Sequence, residues 1–586
     1  MDKWFIYAKR ADFDRLAREF RIDPVTARIL RNRDVVGDEE IRQYLYGTLE
    51  DLNDPHTMKD VDKAAELLWE AVRNHRKIRV IGDYDIDGVC STYILVKGLR
   101  MLGADVDYAI PHRVADGYGL NMALVEQAYE SGRELLITCD NGIAAAEQIA
   151  YAKTKGMTVV VTDHHEIPYE ETTDGGRTYL LPPADAVVDP KQEDCPYPFA
   201  EICGCVVAWK LMQVMYERAP VSVPEDFLEI AAFATIGDVM ELRKENRIIV
   251  RFGLRQLSDT GNIGLRALMD VCGLSGETLT PYHVGFVMGP CMNATGRLDT
   301  AERALRLLLT EDRGEAVAIA TDLKELNDSR KSLTLQGTEQ AIRMVEETGL
   351  GTDRVLVVYL PECHESLAGI IAGRLRERFC KPVFVLTDGE EGVKGSGRSI
   401  EAYSMYEELS KCRELLTRFG GHRMAAGLSL KKENVDALRH MLNENCTLTE
   451  EDMIHKVYID MKLPPAYVTE KLIHEWELLA PFGNGNAKPV FGLGGMKLLS
   501  MNIIGRNRNV CRLTVQDPEG RRYGMIRFGD PAQLQDYIKE RFGEEQLDRL
   551  MRGAENEVIL NVLYYPSINE FRGKKEIQLE MLSFQA

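Results

Sequence analysis

The chain has 586 residues, a formal net charge of −20 at pH 7, and 45% hydrophobic and 28% charged residues. That length is too great for one core and points to about three or four domains, and no stretch approaches the roughly 18 consecutive apolar residues of a membrane span. The acidic balance excludes a protein that coats nucleic acid through a broad basic face, while leaving room for a local basic groove.

The start, "MDKWFIYAKRADFDRLAREF", has no apolar core followed by small residues and does not read as a signal peptide. Residues 1–60 read as a helical lead-in. From about 77 to 190, the short apolar runs "KIRVIGDYD", "DVDYAIPHR", "ELLITCDNG", "TVVVTDHHE" and "DAVVDP" alternate with helical patterns, the βαβ rhythm of a parallel sheet. Residues 200–345 are largely helical and end in a long proline-free pattern fit for a connecting helix. A second α/β segment opens at "DRVLVVYLPE" and closes near 450. Beyond "APFGNGNAKPVF" strand-like runs dominate, and from 492 onward lysine and arginine balance aspartate and glutamate, as a small β-barrel meeting a polyanion would require. The 12 cysteines are scattered, and the closest two, Cys203 and Cys205, lack redox or zinc spacing, so reduced thiols and a cytoplasmic protein are expected.

In open parallel sheets, functional groups gather where strands end and helices begin. Asp83, Asp85 and Asp87 follow one apolar run, Asp140 ends "LLITCD", Asp163, His164 and His165 follow "TVVV", and Asp238 closes "FATIGD". Each aspartate alone could be a helix cap or turn residue. Together they form a carboxylate cluster that would repel itself unless cations neutralise it. Oxygen-rich ligands with an imidazole and no thiolate favour Mn²⁺ or Mg²⁺, and two such ions suit phosphate-ester hydrolysis.

"GDYDIDGVCST", "TCDNGI", "VTDHH" and "TIGDVMEL" resemble the four ordered motifs of the DHH phosphoesterase superfamily. Within it the chain is similar to the bacterial RecJ family of single-strand DNA exonucleases, a resemblance continued by "IPHRVADGYGL", "GPCMNATGRL", "HESLAGIIAGRL", "SGRS", "FGGHRMAAG" and "LLAPFGNGNAKPVF". It implies an α/β architecture: a parallel-sheet DHH catalytic domain (61–314) after the lead-in, a linking helix (315–349), an α/β DHHA1 domain (350–450) and a C-terminal OB-type β-barrel (451–586). It implies two ions, one held by Asp85 and Asp140, the other by Asp87, Asp140, His164 and Asp238. Asp83 would be a ligand, a base or a support to the ligands. Asp163 would orient a histidine, and His165 would contact the scissile phosphate or protonate the departing 3′ oxygen.

The activity implied is 5′→3′ hydrolysis of single-stranded DNA to 5′ mononucleotides, in repair and recombination. Arg113, Arg297 and Arg398, with Asn293, Ser396, Gly397 and Ser399, would seat the 5′ phosphate. Tyr118 would stack on a base or pack under its loop, His422 sits in a glycine loop able to approach phosphate, and His364 either meets substrate or caps the following helix. In the barrel, Arg506, Arg508, Arg521, Arg522, Tyr523 and Arg527 interleave charge and aromatic character, as a single-strand groove or a solvated strand face would. A monomer is expected, with no membrane and with a single-strand-binding protein or helicase as candidate partner. The rival readings are a phosphodiesterase for short oligoribonucleotides or cyclic dinucleotides, and a replication scaffold that has lost catalysis.

Overall fold

The computed structural model describes residues 2–113, 117–171, 176–389, 392–505, 507–571 and 573–586. Its compact units are discontinuous in sequence. One takes residues 53–240 and 249–455, the other residues 2–52, 241–248 and 456–586.

The first unit begins with the expected parallel sheet. The five apolar runs form β1 (Ile78–Ile81), β2 (Val106–Ala109), β3 (Leu135–Cys139), β4 (Thr158–Thr162) and β5 (Ala186–Val188), in the spatial order β2–β1–β3–β4–β5 and parallel throughout. Every residue of β3 is buried, which explains a continuous apolar run where a half-exposed strand would alternate. Helices α1 (Ile86–Met101), α2 (Gly204–Glu217) and α3 (Asp226–Gly237) bury most of their side chains; they pack on one another, and α1 and α2 also pack on the sheet. Helix α4 (Gly289–Leu298) continues a short π-helical turn, and α5 (Arg313–Glu347) is the long connecting helix, 35 residues, N-capped by Asp312 through Glu315 N. Its buried positions Ala316, Ala320, Leu323, Asn327, Thr334, Thr338, Ala341 and Val345 fall on one helical stripe.

A second sheet follows in the same unit: β6 (Leu356–Tyr359), β7 (Val383–Gly389), β8 (Gly392–Arg398), β9 (Leu416–Gly421) and β10 (Ala425–Leu430), ordered β9–β10–β8–β7–β6. Strands β6 and β7 are parallel and the other pairs antiparallel. Helix α6 (Glu365–Phe379) packs on one face with α5, burying Leu367, Ile371, Leu375, Ala341 and Val345.

In the second unit, β11 (Phe491–Ile504), β12 (Val510–Gln516), β13 (Arg522–Phe528), β14 (Ile559–Phe571) and β15 (Lys574–Gln585) run in the order β11–β12–β13–β15–β14, and β14 returns to pair with β11. This closed five-strand order, with helices Pro531–Phe542 and Glu544–Met551 between the third and fourth strands, is an OB barrel. Register shifts at Leu493/Met496 and Leu498/Ser500 let β11 curl to reach both neighbours. The lead-in helices Phe13–Phe20, Pro24–Asn32 and Asp38–Tyr46 share the barrel's core, where Leu30 and Leu45 join Trp476, Phe491 and Tyr564. Buried Arg247 donates to the carbonyls of Tyr44, Leu478 and Leu479 at 3.0, 2.6 and 2.9 Å, tying the unit's three segments together.

Candidate active site

Strand β1 ends at Ile81, and the chain turns into α1 through Gly82, Asp83, Tyr84 and Asp85. Asp85 is the N-cap of α1: one carboxylate oxygen accepts from Asp87 N (3.0 Å) and Gly88 N (3.1 Å). The capping role expected of an aspartate after a strand is therefore real, and it leaves the second oxygen of Asp85 for another partner. Asp87, fully buried in the first turn of α1, accepts from Gly204 N (2.7 Å) and Cys205 N (2.8 Å), the first amides of α2. A helix N-terminus thus faces a carboxylate, the favourable sense of the helix dipole.

Asp140 follows β3 with φ of 60°, in the left-handed region, and its carboxylate lies 3.1 Å from His164 Nε2. The same imidazole nitrogen is 3.6 Å from Asp87 and 3.8 Å from Asp238, which caps the C-terminus of α3. Asp83 is buried, with one oxygen accepting from Gly119 N at 3.3 Å and Oδ2 buried without a hydrogen-bond partner. Three sets of ligand atoms lie within 4.8 Å of one another: Asp83, Asp85 and Asp140; Asp87, His164 and Asp238; and Asp140, His164 and His165.

Burial and mutual repulsion among these carboxylates push Asp83 and Asp140 well above the usual range, raise Asp87, and take Asp238 up to about 8. Burial lowers His164, so its neutral, ligating form is favoured. A protein that keeps five carboxylates in such a place without cations would leave them protonated or strained. Hard divalent ions relieve both, and the orphaned Asp83 Oδ2, the second oxygen of Asp85 and His164 Nε2 are the donors such ions take.

Asp163 behaves differently. It accepts from Ile143 N (2.9 Å), His164 N (2.8 Å) and His165 Nδ1 (2.7 Å), so both its oxygens are spent on holding the turn and His165. Burial pulls the His165 imidazole down, but the hydrogen bond and charge of Asp163 win and raise it to about 9.

Of the expected phosphate ligands, Arg113 lines a cleft beside this centre. A cleft of 490 Å³ is walled by Tyr84, Arg113 and Tyr118 on one side and by Ser366, Lys394 and Arg418 on the other. Arg113 stacks over Tyr84 at 4.8 Å, and Tyr118, half exposed, donates to Asp140 O (2.9 Å) and meets His165 edge-on. Arg297 donates to Ser366 O (2.7 Å). Its burial, then the guanidinium groups of Arg113, Arg330 and Arg398, bring it down to about 10. In β8, Ser396 and Arg398 face α6, where Gly369 leaves them room, while Gly397 faces the core against Phe384 and Met405.

Other expected residues have structural duties. Asn293 Oδ1 accepts from Ile86 N at 2.8 Å, so its carboxamide supports the start of α1. His364 is the N-cap of α6, accepting from Ser366 N. Ser399 is buried and donates to Tyr403 O at 2.6 Å. His422 lies exposed in the β9–β10 turn. In the barrel, Arg521 pairs with Asp517 and Glu519, Tyr523 with Asp517, and Arg527 with Asp530 O and Gln533, while Arg508 and Arg522 are exposed and Arg506 lies outside the described residues. Sequence reading missed Gly204, whose lack of a side chain admits Asp140. A Cβ there would sit 2.8 Å from Asp140 Cβ.

Aspartates and histidines at successive ends of a parallel sheet, with a second α/β lobe and an OB barrel in one chain, define a DHH-type phosphoesterase. The models for the DHH family N-terminal domain, the DHHA1 domain and the RecJ OB domain match residues 77–235, 352–447 and 459–583. The single-stranded-DNA-specific exonuclease RecJ of Bacillus subtilis is 36% identical over 98% of this chain and 70% of its own length. The RecJ of Haemophilus influenzae is 31% identical over 95% of both chains. The crystal structure of RecJ in complex with Mn²⁺ from Thermus thermophilus superposes with a TM-score of 0.81 at 28% identity, covering all of this chain and 79% of that one, and its Mg²⁺ complex gives 0.75 at 27%. The chain belongs to the RecJ family.

Proposed function

We propose that the chain is a single-stranded-DNA-specific exonuclease that hydrolyses phosphodiester bonds from the 5′ end and releases 5′ mononucleotides. The observation that carries this reading is the buried carboxylate cluster with its unpartnered Asp83 oxygen, in a chain of the RecJ family. Asp85 and Asp140 would hold one Mn²⁺ or Mg²⁺, and Asp87, Asp140, His164 and Asp238 the other, with Asp83 as a further donor. When bound, the two ions supply an activated water, neutralise the scissile phosphate and stabilise the leaving oxygen.

The remaining work falls to the side chains. Asp87 is fixed by two α2 amides and Asp85 by its cap, so the ligand loop is pre-organised before any substrate arrives. Asp163 holds His165 by Nδ1, and Nε2, 3.3 Å from the Tyr118 hydroxyl, would exchange that neighbour for the scissile phosphate or give a proton to the departing 3′ oxygen. Arg113, Arg297 and Arg398, with Ser396, would seat the terminal phosphate, and Tyr118 would stack against the adjacent base. All these metal-ligand positions hold Asp or His, which disfavours a catalytically dead scaffold. The matched OB domain sets the chain apart from a phosphodiesterase for short oligonucleotides.

No helix among the described residues is long and apolar enough to cross a membrane. We further propose action in the cytoplasm as a monomer, in DNA repair and recombination, on strands supplied by a helicase or a single-strand-binding protein. A DNA strand with a 5′ phosphate and a 3′ fluorophore tests polarity and substrate together. Progressive shortening with the label retained until late, absent on duplex, is the expected result. Early release of labelled mononucleotide, or cleavage of RNA dinucleotides alone, would overturn it.

A further inference from the structure

Cys272 and Cys291 are far apart in sequence and close in space. Cys272 follows helix Ile263–Val271 as its C-cap and is half-buried. Cys291 is fully buried in the first turn of α4. Their sulfurs are 4.0 Å apart, and Cys291 Sγ is also 3.2 Å from Val287 O and 3.4 Å from Asn327 Nδ2 of α5.

We propose that this pair is an oxidation site for hydroperoxides: it closes to a reversible disulfide that lowers hydrolysis by displacing α4. The two thiols are unequal in the way such a pair requires. The hydrogen bond from Cys291, then Lys324 and Lys331, hold Cys272 below the usual thiol range despite its burial and Asp328, whereas Cys291 keeps its proton. Cys272 is also the more exposed of the two. Its thiolate attacks a peroxide oxygen: an S–O bond forms, the O–O bond breaks, and the hydroxide released takes from solvent the proton the thiol gave up and leaves as water. Cys291 sulfur then attacks the sulfenic acid, so the S–S bond forms, the S–O bond breaks, and the departing hydroxide takes the Cys291 proton as a second water. The two sulfurs together lose the two electrons that the peroxide gains.

The consequence for the active site follows from α4. A disulfide brings its sulfurs to about 2.05 Å, roughly 2 Å closer than here; rotation of the two side chains supplies part of that approach and, in this proposal, movement of the turn at Cys272 and α4 supplies the rest. Two residues beyond Cys291 is Asn293, whose carboxamide holds Ile86 N at the start of the ligand loop, and one turn further is Arg297, bound to Ser366 O. A displacement of this order at a catalytic constellation costs on the order of tenfold to a hundredfold in rate.

The test treats the metal-free full-length protein with hydrogen peroxide, removes the oxidant with catalase, alkylates free thiols and maps peptides without reduction. Nuclease activity is then measured after adding Mn²⁺. A Cys272–Cys291 linked peptide should appear, with activity down at least about tenfold and restored by dithiothreitol. Cys272→Ser should keep basal activity and resist peroxide. Oxidation of other cysteines with no linked peptide would overturn the proposal, as would equal peroxide sensitivity in Cys272→Ser. The activity arm rests on the nuclease reading and the peptide map does not, so the two can fail separately.

Discussion

Gly204→Ala perturbs the ligand centre without removing a ligand. The added Cβ would meet Asp140 at 2.8 Å from Cβ, 2.9 Å from Cα and 3.0 Å from Oδ1. Carbon atoms rest about 3.5–4.0 Å apart, so the methyl must open the 2.8 Å contact by roughly 0.7–1.2 Å. Neither side yields freely. Asp140 follows β3 in a left-handed conformation with its amide on Thr162 O, and the first amides of α2 hold Asp87. Movement of either displaces a carboxylate of the cluster. Overpacking of this kind costs about 1–3 kcal/mol of stability, and a misplacement near 1 Å costs up to about a hundredfold in rate. The assay compares kcat on single-stranded DNA at saturating Mn²⁺, Mn²⁺ affinity by calorimetry and the melting temperature. Gly261→Ala serves as control, since its Cβ meets nothing within 4 Å. A folded Gly204→Ala protein with reduced kcat and weaker Mn²⁺ binding is expected. Wild-type kcat and affinity would refute the claim that α2 and Asp140 are held at contact.

Further outcomes follow from single residues. Arg297→Ala removes a buried charged donor worth about 1.5–3 kcal/mol, so kcat/KM on 5′-phosphorylated strands should fall roughly tenfold to a hundredfold and the preference over 5′-hydroxyl ends should shrink. An unchanged preference would move the terminal phosphate elsewhere. Arg247→Ala removes the guanidinium donor from the carbonyls of Tyr44 and Leu478, while Leu479 O keeps Asn486 Nδ2, and should lower stability by about 2–5 kcal/mol in chemical denaturation. A loss within 1 kcal/mol or so of zero would contradict the clamp. Burial, opposed by the Thr260 hydrogen bond and reinforced by Asp226, takes Glu229 up to about 7 from 4.5, with Oε2 unpartnered. The folded state therefore binds this proton more tightly, and its stabilising effect is lost as pH rises through about 7. Glu229→Gln should be more stable than the wild type above pH 7, by up to ~3 kcal/mol, with the advantage fading toward pH 5. Parallel pH–stability curves would contradict that.

The catalytic sheet was legible because its central strands β1, β3 and β4 are largely buried on both faces. Continuous apolar runs ending in aspartate leave few other assignments, and the runs became five strands in their expected sequence order. The long helix was legible from a proline-free apolar stripe. The barrel was readable as strands, but its closure through β14 on β11 was not, since pairing partners 60 or more residues apart carry no local periodicity. The lead-in showed helices and not their destination: Leu30 and Leu45 mark an apolar face without naming Trp476 as its partner. At the site, residue type announced the cluster, while division of labour needed coordinates. Asp85 is both cap and candidate ligand, Asp163 spends its oxygens on backbone amides and His165, and Asn293 and Ser399, which sit in motifs read as substrate-binding, serve the protein's own backbone. Gly204 carries no chemistry, so nothing in its identity could point to Asp140.

The central claim is that the strand-end carboxylates form a two-cation centre that drives hydrolysis. Calorimetric titration of the metal-free protein with Mn²⁺, paired with Asp140→Asn and with cleavage of single-stranded DNA at each titration point, tests it most directly. Two ions bound per chain, activity rising with occupancy, and loss of both in the variant are the expected results. Activity that persists after chelation, or full two-ion binding in Asp140→Asn, would contradict it.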